Sequence, residues 1–131
     1  YTLTQSEFKS AFVSKNPQFG AVEVGYELPY VPDHQLSFQL QLAARKWGVG
    51  VNLSFLDKMR EVAGEGEGEP TDWTDAFTML DVSAQYRPLK WLEIYLKGEN
   101  LLMAQPIVAR RPYGARPTKP LLITGGVKAS W

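Results

Sequence analysis

The chain has 131 residues, no cysteine, one histidine and a formal net charge of zero from 14 basic and 14 acidic residues. Such a balance argues against a nucleic-acid-binding protein, which carries a basic excess. The lack of cysteine excludes disulfides and thiolate metal sites, and one histidine makes a catalytic triad or an imidazole metal cluster nearly impossible. No apolar run reaches the roughly 18 to 20 residues of a membrane helix, but a membrane β-barrel stays possible because its strands alternate lipid-facing and water-facing residues.

Alternation of apolar and polar residues predicts six strands. In chain order they cover residues 1–12, 35–44, 47–57, 76–87, 90–99 and 120–131. In the first strand the alternation slips between Ser6 and Phe8. The other five each keep one apolar face, and between its first and last apolar residues that face contains no Lys, Arg, Asp or Glu. The pattern therefore predicts an all-β protein with a strongly amphipathic sheet.

A clean apolar face fits a lipid-exposed barrel, where a midplane Lys or Arg costs about 2–4 kcal/mol, but it also fits a soluble sheet packed on a core. Two features of the strands and their connections favour the barrel. Strands of ten to twelve residues, tilted by about 40°, cross roughly 25 Å of hydrocarbon, and strands of soluble proteins are usually shorter. The turns RKWG and RPLK are short, whereas the connections 13–34, 58–75 and 100–119 are long and polar, as in outer-membrane barrels.

Aromatic residues give a third indication of a membrane barrel. Trp47, Tyr86, Trp91 and Trp131 all fall at the short-turn end of their predicted strands. Such a belt places amphipathic rings at one depth, among lipid headgroups. A soluble β-sandwich, the alternative from another class, does not predict a common edge for its aromatics.

Six strands cannot close a barrel that spans a membrane, since the smallest such barrels have about eight. An open sheet would expose unpaired backbone groups to lipid, at several kcal/mol per group. The sequence therefore predicts one segment of a larger transmembrane antiparallel β-barrel. Because the sixth predicted strand reaches the last residue, we expect the C-terminal segment.

The last eight residues, TGGVKASW, resemble the C-terminal signal by which outer-membrane proteins are recognised for barrel assembly. That signal has a polar residue, a glycine two positions later and apolar residues at the third-last and last positions. Its counterparts here are Thr124, Gly126, Ala129 and Trp131. Ala129 and a terminal Trp in place of the usual Phe depart slightly from the pattern. The resemblance implies that the barrel assembly machinery is a partner.

Further upstream, the order of segments resembles the C-terminal part of TonB-dependent outer-membrane receptors. ELPYVPDHQLSFQLQL resembles their Pro-x-x-Pro-x-His loop and strand, and FTMLDVSAQYRPLKWLEIYLKGENLL resembles their strand, turn and strand ending in Asn-Leu, here Asn100 and Leu101. RRPYGARPTKP and DKMREVAGEGEG resemble loops of a ferric-chelate subgroup. LLMAQPIV departs from the usual LFDxEY type after Asn100, so the loop geometry there is not implied.

The resemblance covers residues 1–131 and implies that they are the last six strands of a barrel of about 22 strands. It implies a receptor in the bacterial outer membrane that takes up a ferric siderophore or a ferric citrate-like chelate. The implied partners are outer-membrane lipid, the receptor's own plug domain, the ferric chelate, and the TonB complex, which acts through an N-terminal part absent from this chain. No cofactor, catalytic residue, metal or nucleic acid is expected. A passive porin-type channel is the alternative within the membrane class.

Four residues of the last long loop are candidate ligand-binding residues: Arg110, Arg111, Tyr113 and Arg116. Guanidinium groups at an external mouth attract an anionic chelate and bind it through paired hydrogen bonds. The alternative is a rigid loop in which the arginines pair with neighbouring carboxylates. Both interpretations remain open from the sequence.

A second group of charged residues is predicted to face the barrel lumen: Asp81, Glu93, Lys97, Glu99 and Lys128. Their mixed signs favour contacts with a plug over a selective pore. Glu93 has no nucleophile or cleft to go with it, so a hydrolase is not indicated. The glutamates of GEGEGEP, residues 64–70, suggest either a calcium site or, more readily, a solvated mobile loop. His34 is interpreted as a hydrogen-bonding residue before the second strand, with a ligand contact as the alternative.

Overall fold

The computed structural model describes residues 1–111 and 113–130. Within these residues the chain forms ten β-strands and one 3-10 helix, Pro70–Asp72. The strands are β1 (Thr2–Leu3), β2 (Phe12–Val13), β3 (Ala21–Val22), β4 (His34–Ala43), β5 (Trp47–Leu56), β6 (Phe77–Leu89), β7 (Leu92–Glu99), β8 (Ile107–Ala109), β9 (Arg116–Pro117) and β10 (Leu122–Ala129). In the described residues, no helix has the length and apolar character needed to cross a bilayer.

Five of the six predicted strands are confirmed as β4, β5, β6, β7 and β10. The first prediction, a continuous strand over 1–12, is wrong. Its two ends pair differently, because β1 pairs with β4 and β2 pairs with β3. Between them Phe8 donates its N–H to the Tyr26 carbonyl at 2.8 Å. The slip in alternation between Ser6 and Phe8 thus falls in the segment between β1 and β2, which lies outside the long sheet.

The long strands form one antiparallel sheet with the strand order β1-β4-β5-β6-β7-β10. The β4–β5 turn is tight, with the Ala44 N–H donating to the Trp47 carbonyl at 2.8 Å. The predicted RPLK turn lies two residues further along, at Lys90–Trp91, because β6 continues through a register shift between Tyr86 and Leu89. That shift accommodates Pro88, which has no N–H to donate to a ladder.

By its contacts the chain divides into two compact units. The first, here called the loop unit, comprises residues 1–36, 56–77 and 106–118. The second, the sheet unit, comprises residues 37–55, 78–105 and 119–131. The predicted long connections are not wholly irregular, since they contain the short pairs β2–β3 and β8–β9 in the loop unit.

The register of the sheet unit separates an apolar face from a polar face. Ile94 is paired with Val127 and Leu96 with Gly125, whereas Lys97 is paired with Thr124. Side chains of the apolar face are between 43% and 67% exposed: Phe38, Leu40, Leu42, Trp47, Tyr86, Ile94, Leu96, Ile123 and Val127. A soluble β-sandwich would cover such a face with a second sheet. An uncovered apolar face of this extent is typical of a surface that meets lipid or another protein.

Candidate functional site

The β8–β9 hairpin, residues 107–117, carries the four candidate ligand-binding residues. Arg110 donates from Nη1 to the Trp73 carbonyl and lies 3.7 Å from carboxylate oxygens of both Glu61 and Asp75. Arg111 Nη2 lies 3.1 Å from Asp72 Oδ1. The structure therefore places both arginines beside carboxylates of their own chain, in the arrangement that was the alternative to ligand binding.

The other two candidates lie at the exposed end of the same hairpin. Tyr113 is 91% exposed, and Arg116 is exposed while donating from Nη2 to the Arg111 carbonyl at 2.6 Å. The hairpin closes through the Gly114 N–H, which donates to the Arg110 carbonyl at 2.8 Å. Gly114 has a φ of 98°, a left-handed conformation that a glycine adopts without steric cost. The hairpin thus presents an aromatic ring and a guanidinium group to solvent.

Three carboxylate residues hold this hairpin: Glu61, Asp72 and Asp75. None of them was predicted from the sequence to have this role. The Asp75 N–H donates to the Ile107 carbonyl at 3.0 Å, and the Ile107 N–H donates to Asp75 Oδ2 at 2.7 Å. Glu61 is fully buried, and its N–H donates to the Asp72 carbonyl at 2.7 Å. These carboxylates and the hairpin residues that they contact are far apart in the sequence. No local motif could therefore have revealed them.

A second arginine of the loop unit, Arg60, is 4% exposed. Its Nε lies 3.0 Å from Glu27 Oε2, its Nη2 donates to the Gly66 carbonyl, and its guanidinium carbon lies 4.6 Å from the centroid of the Trp73 ring. A Cβ at position 64 would lie 2.8 Å from Nη1 and one at position 68 would lie 3.1 Å from it. The GEGEGEP backbone therefore lies against a buried cation at alternate glycines.

The glutamates of the same segment, Glu65, Glu67 and Glu69, are exposed. Across the described part of the chain, no group of three or more His, Asp or Glu side chains is placed to hold a metal ion. The alternation of glycine and glutamate is explained by packing: small residues lie against Arg60 and charged residues project into water.

His34 begins β4 and is exposed. Its Nδ1 lies 2.8 Å from the Tyr1 hydroxyl, so it makes a hydrogen bond between β4 and the chain segment that precedes β1. It also lines a cleft of about 660 Å³ in the loop unit, together with Glu7, Glu27 and Asp33. The hydrogen bond accords with the interpretation of His34 as a hydrogen-bonding residue.

On the polar face of the sheet unit, the predicted lumen-facing residues pair with one another. Lys97 Nζ lies 3.3 Å from Glu99 Oε2, and Glu93 Oε2 lies 2.5 Å from Arg87 Nε. The register places Lys128 opposite Glu93. Glu93, Lys97 and Glu99 therefore have ion-pair partners within this chain, and their contacts with a plug remain a prediction.

Lys119 joins the strand ends of the sheet unit electrostatically. Its Nζ lies 2.8 Å from Glu99 Oε1 and 3.3 Å from Asp81 Oδ2. The hydrogen bond to Glu99, followed by that to Asp81, raises the pKa of Lys119 above its ordinary value. Lys119 is therefore held as a cation at the point where the last long loop returns to the sheet.

Asn100 is the buried polar centre of the same strand end. It is fully buried and has a φ of 52°. Its Nδ2 donates to the Ala104 and Lys119 carbonyls at 2.8 Å each, and its Oδ1 accepts from the Ala104 N–H at 3.0 Å. Its own N–H donates to Asp81 Oδ1 at 2.8 Å. Asn100 was expected only as part of a family motif, and this structural role could not be predicted from the sequence.

The candidate assembly residues Thr124, Gly126 and Ala129 lie in β10, and Trp131 lies outside the described residues. Gly126 is opposite Tyr95, and a Cβ at this position would overlap the Tyr95 ring. A side chain at position 126 would therefore force the Tyr95 ring to move from its place on the polar face. The role in assembly remains a prediction.

Comparison with known proteins identifies the chain. The family described as "TonB dependent receptor-like, beta-barrel" has a model that matches residues 1–101. The chain belongs to this family. Its members are receptors of the outer membrane, which separates this TonB-dependent receptor segment from the porin and soluble-sandwich alternatives. The prediction that the chain is a segment of a TonB-dependent receptor β-barrel is confirmed.

Two solved structures resemble this segment of a TonB-dependent receptor, and no curated protein matches it. Both are of the ferric-catecholate import receptor Fiu from E. coli K12, in a closed and an open form. Each is 21% identical with a TM-score of 0.65, and the matches cover 79% and 80% of this chain but 15% and 17% of those chains. At this identity the likeness shows a common fold.

Proposed function

We propose that residues 1–131 form wall and external-loop parts of a TonB-dependent receptor that imports a ferric chelate across the outer membrane. The match to the receptor family supports this proposal. The structure agrees with it, because the apolar face of the sheet is uncovered and the long loops carry an arginine-rich hairpin. The whole receptor would have about 22 strands, a plug domain in its lumen and a TonB-contacting segment. In this proposal the apolar face meets outer-membrane lipid.

The ligand class is inferred from the chemistry of the β8–β9 hairpin. Tyr113 and Arg116 at its exposed end offer a ring face and a guanidinium group. Ferric catecholates and ferric citrate are anionic and rich in oxygen acceptors, so they suit charge-assisted hydrogen bonds from arginine. The structures that share this fold belong to a receptor named for ferric-catecholate import, which is consistent with a chelate of this class.

The direct test is iron uptake by cells that depend on the full-length receptor. Radiolabelled iron would be supplied as a ferric tris-catecholate, as ferric citrate and as a ferric hydroxamate. We expect uptake of at least one complex, and we expect its loss in an otherwise identical strain that lacks TonB. A receptor that reaches the outer membrane and imports none of these complexes, or imports them equally without TonB, would contradict the proposal.

The terminal signal is part of the same proposal. Deletion of Trp131 should lower the amount of full-length receptor in the outer membrane if the Thr124, Gly126, Ala129 and Trp131 pattern is read by the assembly machinery. Deletion of an exposed loop residue, Tyr113, is the control for the loss of one aromatic residue. Normal insertion without Trp131 would show that the pattern is not used.

A further inference from the structure

The environment of Glu61 is unusual for a carboxylate. It is 0% exposed, and neither carboxylate oxygen accepts a hydrogen bond from any residue that the structure describes. Its counter-charge is Arg110, whose Nη1 lies 3.7 Å from Oε1. A buried carboxylate without a paired cation is strongly unfavourable. Glu61 therefore depends on Arg110 for charge compensation, although no hydrogen bond joins them.

Arg110 in turn fastens the hairpin to the segment that contains Glu61. Its guanidinium group contacts the Trp73 carbonyl and lies 3.7 Å from Asp75, which also bonds to the first residue of the hairpin. One hydrogen bond and two carboxylates at 3.7 Å therefore direct the guanidinium group of Arg110 toward its own chain. Tyr113 and Arg116, by contrast, are exposed. The hairpin thus has a charged base fixed to its neighbours and an end free to meet a ligand.

We propose that Glu61 is a positioning residue, which fixes Arg110 and through it holds the hairpin so that Tyr113 and Arg116 meet the ligand. This inference rests on the proposed function for its effect on binding. The pairing itself is independent of any ligand. Arg110 belongs, on this proposal, to the support of the binding surface and not to the surface itself.

The test uses the full-length receptor with four variants: R110Q, E61Q, the double variant E61Q/R110Q, and E69Q as the control. E69Q removes one carboxylate from the same loop, but an exposed one. Hydrogen exchange of residues 106–118 in the ligand-free receptor reports whether the hairpin is held. Affinity is measured with a ferric tris-catecholate and with ferric citrate.

R110Q should accelerate exchange of the hairpin, because it leaves the Glu61 charge buried and uncompensated. If the positioned hairpin is then populated about a tenth of the time, affinity falls about tenfold. In the E61Q background the same R110Q change should alter exchange and affinity less than in the unmodified receptor, since only the contacts of Arg110 with the Trp73 carbonyl and Asp75 are lost and no buried charge remains to be compensated. E69Q should behave as the unmodified receptor.

The proposal is overturned if R110Q weakens binding equally in both backgrounds while exchange is unchanged, because Arg110 would then contact the ligand. If R110Q fails to insert into the membrane, E61Q and the double variant still test the coupling of Glu61 and Arg110. A double variant that inserts and binds like E61Q supports the coupling. A double variant that also fails to insert contradicts it. If the unmodified receptor binds neither iron complex, the proposed function fails. Hydrogen exchange of residues 106–118 then still tests whether the Glu61–Arg110 pair holds the hairpin.

Discussion

In the sheet unit, apolar side chains such as Leu96 and Val127 are exposed, whereas in the loop unit the charged side chains Arg60 and Glu61 are buried. Both observations depart from the usual distribution of residues in a globular protein. In the loop unit, Val22 and Met59 are buried as well, so apolar packing and buried charges occur together there. Hydrogen bonds and ion pairs, such as those of Arg60 and Arg110, therefore add to the apolar contacts that hold the loops.

The largest effect should follow from placing a charge on the apolar face. Leu40 and Gln39 are adjacent, exposed residues of β4 that alternate between the apolar and the polar face. L40K should cost about 2–4 kcal/mol if the face meets lipid, whereas Q39K adds the same charge on the opposite face at little cost. The yield of folded full-length receptor in the outer membrane is the measurement. Equal yields of the two variants would show that the face does not meet lipid.

The sheet could be predicted because each of its strands carries its own signal. In β4 and β7 the apolar residues recur at every second position, and this period alone specifies the strand and its two faces. The ends were placed within about two residues because turn residues flank them. The first strand was predicted wrongly, since Phe8 packs against the rings of Phe12 and Phe19 in the loop unit. That contact is a tertiary one and leaves no periodic pattern in the sequence, so it could not be predicted.

A smaller but still large effect is expected at Asn100, which marks where the regular sheet ends. N100A removes three side-chain hydrogen bonds, worth about 1 kcal/mol each, from a buried position. N100G removes the same bonds but tolerates the φ of 52°, so it should be about 1 kcal/mol less destabilising than N100A. Urea unfolding of the full-length receptor in detergent measures both. If N100A unfolds at the same urea concentration as the unmodified receptor, the buried network is not a stabilising one.

Arg60 tests whether the loop unit is held by charge. Arg60 and Lys58 both lie 4.6 Å from the Trp73 ring, but Arg60 is buried and bonded to Glu27 whereas Lys58 is exposed. R60M should destabilise the loop unit by about 2 kcal/mol through the lost charge-assisted hydrogen bonds, and K58M should have little effect. Hydrogen exchange of residues 58–70 distinguishes them. Equal exchange in the two variants would mean that the cation–π contact alone matters.

The contacts of the loop unit could not be predicted in the same way. The composition of GEGEGEP is typical both of mobile loops and of cation-binding loops, so the sequence suggested either. In the structure its glycines allow the backbone to lie against Arg60, which precedes them in the chain. Glu61 resembles any surface glutamate in sequence, and its burial depends on Arg110, 49 positions away. The candidate hairpin was therefore found from its composition, while the residues that hold it required the structure.

The smallest expected effect concerns Lys119, which holds the return of the last loop to the sheet unit. Its raised pKa means that its ion pairs with Glu99 and Asp81 contribute their full stability below the unfolded-state pKa, and that this contribution is lost as pH rises through the higher folded-state pKa. Because the group is exposed, solvent and salt screen the pairs and the contribution is modest. The loss of unfolding free energy between about pH 9 and pH 12 should be smaller in K119M than in the unmodified receptor, and 1 M salt should reduce the difference. The K128M variant, which removes a lysine of β10 that lies opposite Glu93, controls for the general effect of alkaline pH. An identical pH profile in K119M and K128M would mean that the order of the last loop depends on Asn100 and not on the charges around it.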